Sequence, residues 1–69
     1  MHYTLECERE EDGRWLAEIV ELPGVLAYGS NQEEAMAKAE ALALRVIADR
    51  LEHREAKAQA FSIALPAAA

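Results

Sequence analysis

Much of what carries chemistry in other proteins is scarce in this chain of 69 residues. There is one cysteine, Cys7, so no internal disulfide can form and no cysteine cluster can hold a metal. Cys7 sits in an alternating stretch and reads as a small buried hydrophobe. There are two histidines, His2 beside a terminus and His53 at a charged helix end. Together with Ser30 and Ser62 they form no nucleophile-and-base pattern, so no catalytic residue is assigned. The three glycines are isolated in turns, which argues against a glycine-rich phosphate loop. No apolar run approaches the ~20 residues needed to cross a bilayer. The N-terminus is polar from His2 onward, so no signal peptide is expected and the cytoplasm is the expected location. Seven basic residues stand against 13 acidic ones, a net charge of −6. That balance argues against direct nucleic-acid binding and suits either a basic protein partner or plain solubility.

Large apolar side chains are also few. Hydrophobic residues make up 52% of the chain, but fifteen of them are alanine. Alanine adds helix propensity and little buried area. One domain of this size buries only about 60% of its unfolded surface. So thin a core predicts a homo-oligomer or a stabilising protein partner.

What is present is pattern. Residues 2–10 alternate, with Tyr3, Leu5 and Cys7 on one face and Thr4, Glu6 and Glu8 on the other. This is a half-buried strand with an acidic outer face. A second strand over 14–20 puts Trp15, Ala17 and Ile19 inward and Arg14, Leu16, Glu18 and Val20 outward. A three-residue Glu11-Asp12-Gly13 loop keeps like faces together, setting Leu5 opposite Ile19, Cys7 opposite Ala17 and Arg9 opposite Trp15. A two-residue loop would mix the faces. Pro23-Gly24 suits the middle of a type II turn, with glycine at the positive φ. A short strand follows over 25–28. Gly29-Ser30 breaks it, and Asn31 reads as a helix N-cap with Glu34 completing a capping box.

The helix is expected over 32–53. Ala35, Met36, Ala39, Leu42, Ala43, Val46 and Ile47 make its core stripe. A weaker stripe runs through Ala37, Ala41, Leu44, Ala48 and Leu51. Its two leucines are expected to widen the core face, the alternative being contact with another subunit. The helix exit, over Arg54 to Ala58, is poorly marked because it has no glycine. A fourth strand is expected over 60–65, ended by Pro66, with Ala67 to Ala69 frayed. The order is β-β-β-α-β in one domain spanning 1–69. A right-handed helix crossover sets the last strand parallel beside the first, giving an α+β fold with sheet order 3-2-1-4 and one helix on one face.

On the outer face, Leu26 and Tyr28 of the third strand join Leu16 and Val20. That gives either an interaction patch or a scatter of tolerated apolar residues. No metal or cofactor is expected. Metal-assisted cleavage needs converging carboxylates, and Glu6 or Glu8 with Glu40 could be imagined in that role, though a solvated acidic face is the expected reading. The fourth strand adds no acid to such a set.

Three pieces, Asp12-Gly13-Arg14-Trp15-Leu16-Ala17, then Glu21-Leu22-Pro23-Gly24, then Gly29-Ser30-Asn31-Gln32-Glu33-Glu34-Ala35, stand in fixed order. In this they resemble the HicB family of antitoxins, with Asn31 where that pattern usually has threonine. The resemblance spans about residues 3–55. It implies a partial ribonuclease H-like β-β-β-α-β domain without that fold's catalysis. It also implies a non-enzymatic protein that oligomerises and masks a small basic HicA-type toxin, a ribonuclease acting on mRNA. Many such antitoxins carry a C-terminal DNA-binding module. This chain stops at Ala69, so operator binding by it alone is not expected.

The leading expectation is therefore an antitoxin-like binding protein. Its contact residues are Leu16, Glu18, Val20, Leu26 and Tyr28, with Glu6 and Glu8 supplying attraction. The alternative is a homo-oligomeric structural or small-ligand-binding domain that has no toxin.

Overall fold

A computed structural model describes residues 2–54 and 57–66. The expected exit residues Glu55 and Ala56, and the tail Ala67 to Ala69, lie outside the described residues. The elements are β1 (His2–Arg9), β2 (Trp15–Ile19), β3 (Leu26–Gly29), α1 (Gln32–Glu52) and β4 (Ser62–Ala64). They form one four-stranded mixed sheet of order β3-β2-β1-β4, with α1 packed on one face.

The β1–β2 pairing sets Leu5 opposite Ile19, Cys7 opposite Ala17 and Arg9 opposite Trp15. This is the register that a three-residue loop requires. Glu10 N–H donates to the Arg14 carbonyl at 2.7 Å, and Gly13 sits between them at φ +89°. At the second turn Val25 N–H donates to the Leu22 carbonyl at 3.0 Å around Gly24, whose φ is +88°. Both positive angles are costly for any residue with a Cβ. β4 runs parallel to β1, pairing Tyr3 with Ile63. It begins at Ser62, later than the pattern predicts, and Phe61 before it stays 47% exposed.

The core is a sheet-on-helix layer. Leu5 and Ile19, neighbours across β1 and β2, are its largest fully buried side chains. From the helix come Ala35, Ala39, Ala43 and Ile47, a row spaced every four residues. The first three are alanines at 0% exposure, so the helix lies close against the strands. Gly29 shows how close. A Cβ built there would fall 2.4 Å from the Ala35 backbone nitrogen. Gly29 does more than break a strand: as the last residue of β3, it lets the helix start press on the sheet.

Two other expectations are corrected. Leu44 and Leu51 do not widen the core; they are 42% and 36% exposed on the outer side of α1. The helix cap also differs from a simple box. Asn31 Oδ1 accepts from Glu34 N–H at 2.8 Å, as expected. The returning Glu34 carboxylate, however, accepts from Ser30 N–H at 3.1 Å, one residue earlier. At the other end Arg54 takes the left-handed conformation at φ +57°, the place that glycine commonly fills. A non-glycine residue there explains why the helix end is hard to read in the sequence.

Candidate functional site

The site is built by alternation. Burying Tyr3, Leu5, Ala17 and Ile19 against α1 forces their neighbours onto the other side of the sheet. The registers then arrange those neighbours in rows. One row runs Glu6, Glu18, Leu26 and the next runs Glu8, Leu16, Tyr28, across β1, β2 and β3. Val20 lies beyond them, its N–H donating to the Thr4 carbonyl at 3.0 Å. All seven residues read as contact candidates therefore share one face, the side of the sheet away from the helix. Val20, Leu26 and Tyr28 are 48%, 40% and 41% exposed, and Leu16 is half-buried among them.

The face is flat. Glu6, Cys7, Glu8, Leu16 and Glu18 line a depression of about 60 Å³. That is room for a few waters, not for a small-molecule ligand. Its electrostatics are one-sided. Glu6 and Glu18 stand directly opposite each other on adjacent strands, with Glu8 two places along. Like charges in that arrangement destabilise a sheet. None of the three joins an ion pair among the described residues; those pairs are Arg14–Asp12, Lys38–Glu34 and His53–Asp49.

One corner is organised in a way that strand alternation alone does not indicate. The Arg14 guanidinium stacks over the Tyr28 ring at 4.4 Å. Asp12 holds it there, with Oδ2 accepting from Arg14 Nε at 2.7 Å and Oδ1 from Arg14 N–H at 3.1 Å. The backbone N–H of Arg14 is the main reason that the Asp12 carboxyl titrates below its ordinary range. Glu10, Glu11, Asp12, Arg14 and Tyr28 together rim a wider, open concavity of about 380 Å³ at this end of the face. Alternation puts Arg14, just before β2, and Tyr28 of β3 on the same side; the Asp12 bonds that fix the stack lie in the turn, outside that pattern.

A second tie joins the strands at the opposite corner. Glu21 takes the Thr4 N–H at 2.6 Å and the Thr4 hydroxyl at 2.9 Å. That N–H faces β2 just past the end of the strand, so the carboxylate extends the ladder where the main chain turns away. The Thr4 N–H is the main cause of a lowered Glu21 pKa.

The structure brings His2 and Ser62 together, with Nδ1 and Oγ 2.5 Å apart on an exposed edge. This bond fastens β4 to β1. Glu6 and Glu40 do not converge, because Glu6 faces away from the helix that carries Glu40. Among the described residues no group of three or more His, Cys, Asp or Glu is placed to hold a metal ion. No helix there is long and apolar enough to cross a membrane. No protein-family model, curated protein or solved structure matches the chain.

Proposed function

We propose that this chain is an antitoxin-like binding protein whose outer sheet face covers a small basic HicA-type toxin and masks its mRNA-cleaving site. In this reading the domain is a partial, non-catalytic ribonuclease H-like fold acting in the cytoplasm, and DNA binding is no part of its role. The resemblance to HicB antitoxins in three ordered motifs supports it.

The observation that carries the proposal is the Glu6–Glu18 opposition in the middle of a half-apolar face. A free-standing sheet gains nothing from two carboxylates facing each other across strands. A docked lysine or arginine resolves the conflict, and the exposed Leu26, Tyr28 and Val20 beside it supply apolar contact. The wider hollow beside Tyr28 is open and rimmed by acids, so the face suits a basic macromolecular surface better than a metabolite.

Co-expression with a small basic histidine-containing protein encoded next to this chain tests the reading. The expected result is a complex in which RNA cleavage is suppressed. Changing Leu16→Asp and Tyr28→Asp together should release the toxin. A complex that survives those changes, or no complex at all, refutes the assignment.

A further inference from the structure

We infer that the outer side of α1 is a second interaction surface, on which two copies of this chain pair through parallel helices. Its residues are Ala37, Ala41, Leu44, Ala48 and Leu51, all exposed. Their spacings are four, three, four and three, the 3.5-residue repeat of a two-helix seam. The buried row Ala35, Ala39, Ala43 and Ile47 advances by four at every step. The helix thus carries two apolar rows of different period, and only one of them is covered by the sheet. In heptad terms the exposed leucines Leu44 and Leu51 occupy the d positions, and Ala41 and Ala48 the a positions. Leucine at d suits a parallel dimer, and small a residues let the backbones approach.

Charge selects the occupant. The flank preceding the seam holds Glu33 and Glu40, and the flank following it holds Lys38, Arg45 and, at the helix end, Glu52. The protein has only seven basic residues in all, and two of them border this row. In a parallel pair a flank residue of one helix meets the residue five places further along the other. Glu33 then meets Lys38 of the second copy, and Glu40 meets its Arg45. The two-fold axis repeats both contacts, which makes four opposite-charge pairs. Antiparallel pairing is less complementary: in one seam register Lys38 meets Glu52 but Arg45 meets its own copy, and in the other Lys38 meets Arg45. A second copy in parallel is thus the complementary partner. The surface lies across the molecule from the sheet face, so this inference does not rest on the toxin reading.

Sedimentation equilibrium of the full chain from about 5 to about 500 µM tests it. The expected result is a monomer–dimer equilibrium that weakens at least about a hundredfold in Leu44→Asp/Leu51→Asp, with an unchanged circular dichroism spectrum. Orientation is read by oxidation in a Cys7→Ala background. Ala41→Cys and Ala48→Cys should each cross-link to its own copy, because a parallel seam sets every layer against itself. Monomer at every concentration overturns the inference, as does a dimer indifferent to the two aspartates. Cross-linking only between an Ala41→Cys chain and an Ala48→Cys chain overturns the parallel arrangement. If the aspartate variant loses fold, Lys38→Glu/Arg45→Glu serves instead, with abolished self-association expected and its persistence decisive against.

Discussion

Two residues concentrate the backbone demands of this fold. Gly29 ends β3 under the first turn of α1, where an added Cβ meets the Ala35 backbone at 2.4 Å and 2.9 Å. Backbone cannot swing aside as a side-chain tip can. Gly29→Ala is expected to destabilise the chain by about 1–3 kcal/mol, as overpacking does elsewhere, and chemical denaturation measures it. An unchanged midpoint would show that the helix start can lift off the sheet freely. Arg54 presents the opposite case. It holds a left-handed φ of +57° without being glycine. Arg54→Gly removes that strain at some cost in unfolded-state entropy, so a gain of up to about 1 kcal/mol is expected, read as a higher thermal midpoint. Neither role is legible from residue type. Glycine after a strand reads as a breaker, because close approach depends on a neighbour six positions away that only the packed helix reveals. An arginine near a helix end reads as dipole complement, since its φ leaves no trace in composition.

At the level of elements, what was legible follows from periodicity. The strand faces, the β1–β2 register and the sheet order follow from alternation, loop length and crossover handedness, and all are local or topological constraints. The candidate face is legible for the same reason: once the inward residues are known, Glu6, Glu8, Leu16, Glu18, Val20, Leu26 and Tyr28 have nowhere else to go. The side-chain ties were not legible. Glu21 holding Thr4, and Glu34 reaching Ser30, depend on where β2 ends and α1 begins rather than on any repeat. Both ties have a pH signature. The folded-state carboxyl of each is held below its ordinary pKa, mainly by the N–H it accepts from. Such a group stabilises the folded chain above the unfolded value, about 4.3 for glutamate. That contribution is lost as pH falls through the lower folded value. Glu21→Gln should therefore lower the urea midpoint at pH 7 and change it much less at pH 3. An equal loss at both pH values would mean that the carboxylate charge contributes nothing to the tie.

The molecule as a whole has two unlike surfaces separated by a thin core. Among the described residues there is one helix, and it covers one side of the sheet. The other side keeps a conflict that folding does not remove, with Glu6 facing Glu18. If that opposition serves a basic partner, stability and binding must respond oppositely to its relief. Glu18→Gln removes the repulsion, so the isolated chain should gain about 0.2–1 kcal/mol, most at low salt where screening is weak. The same change removes attraction from the centre of the face, so association with the basic partner should slow and lose part of its salt dependence. Asp49→Asn changes net charge equally but sits on the exposed side of α1, away from the sheet. It should leave partner association nearly unaltered. Denaturation of the free chain and stopped-flow association of the complex read the two effects separately. A Glu18→Gln chain that is no more stable would remove the argument from frustration. One that binds as fast as the parent would remove the sheet face from the interface.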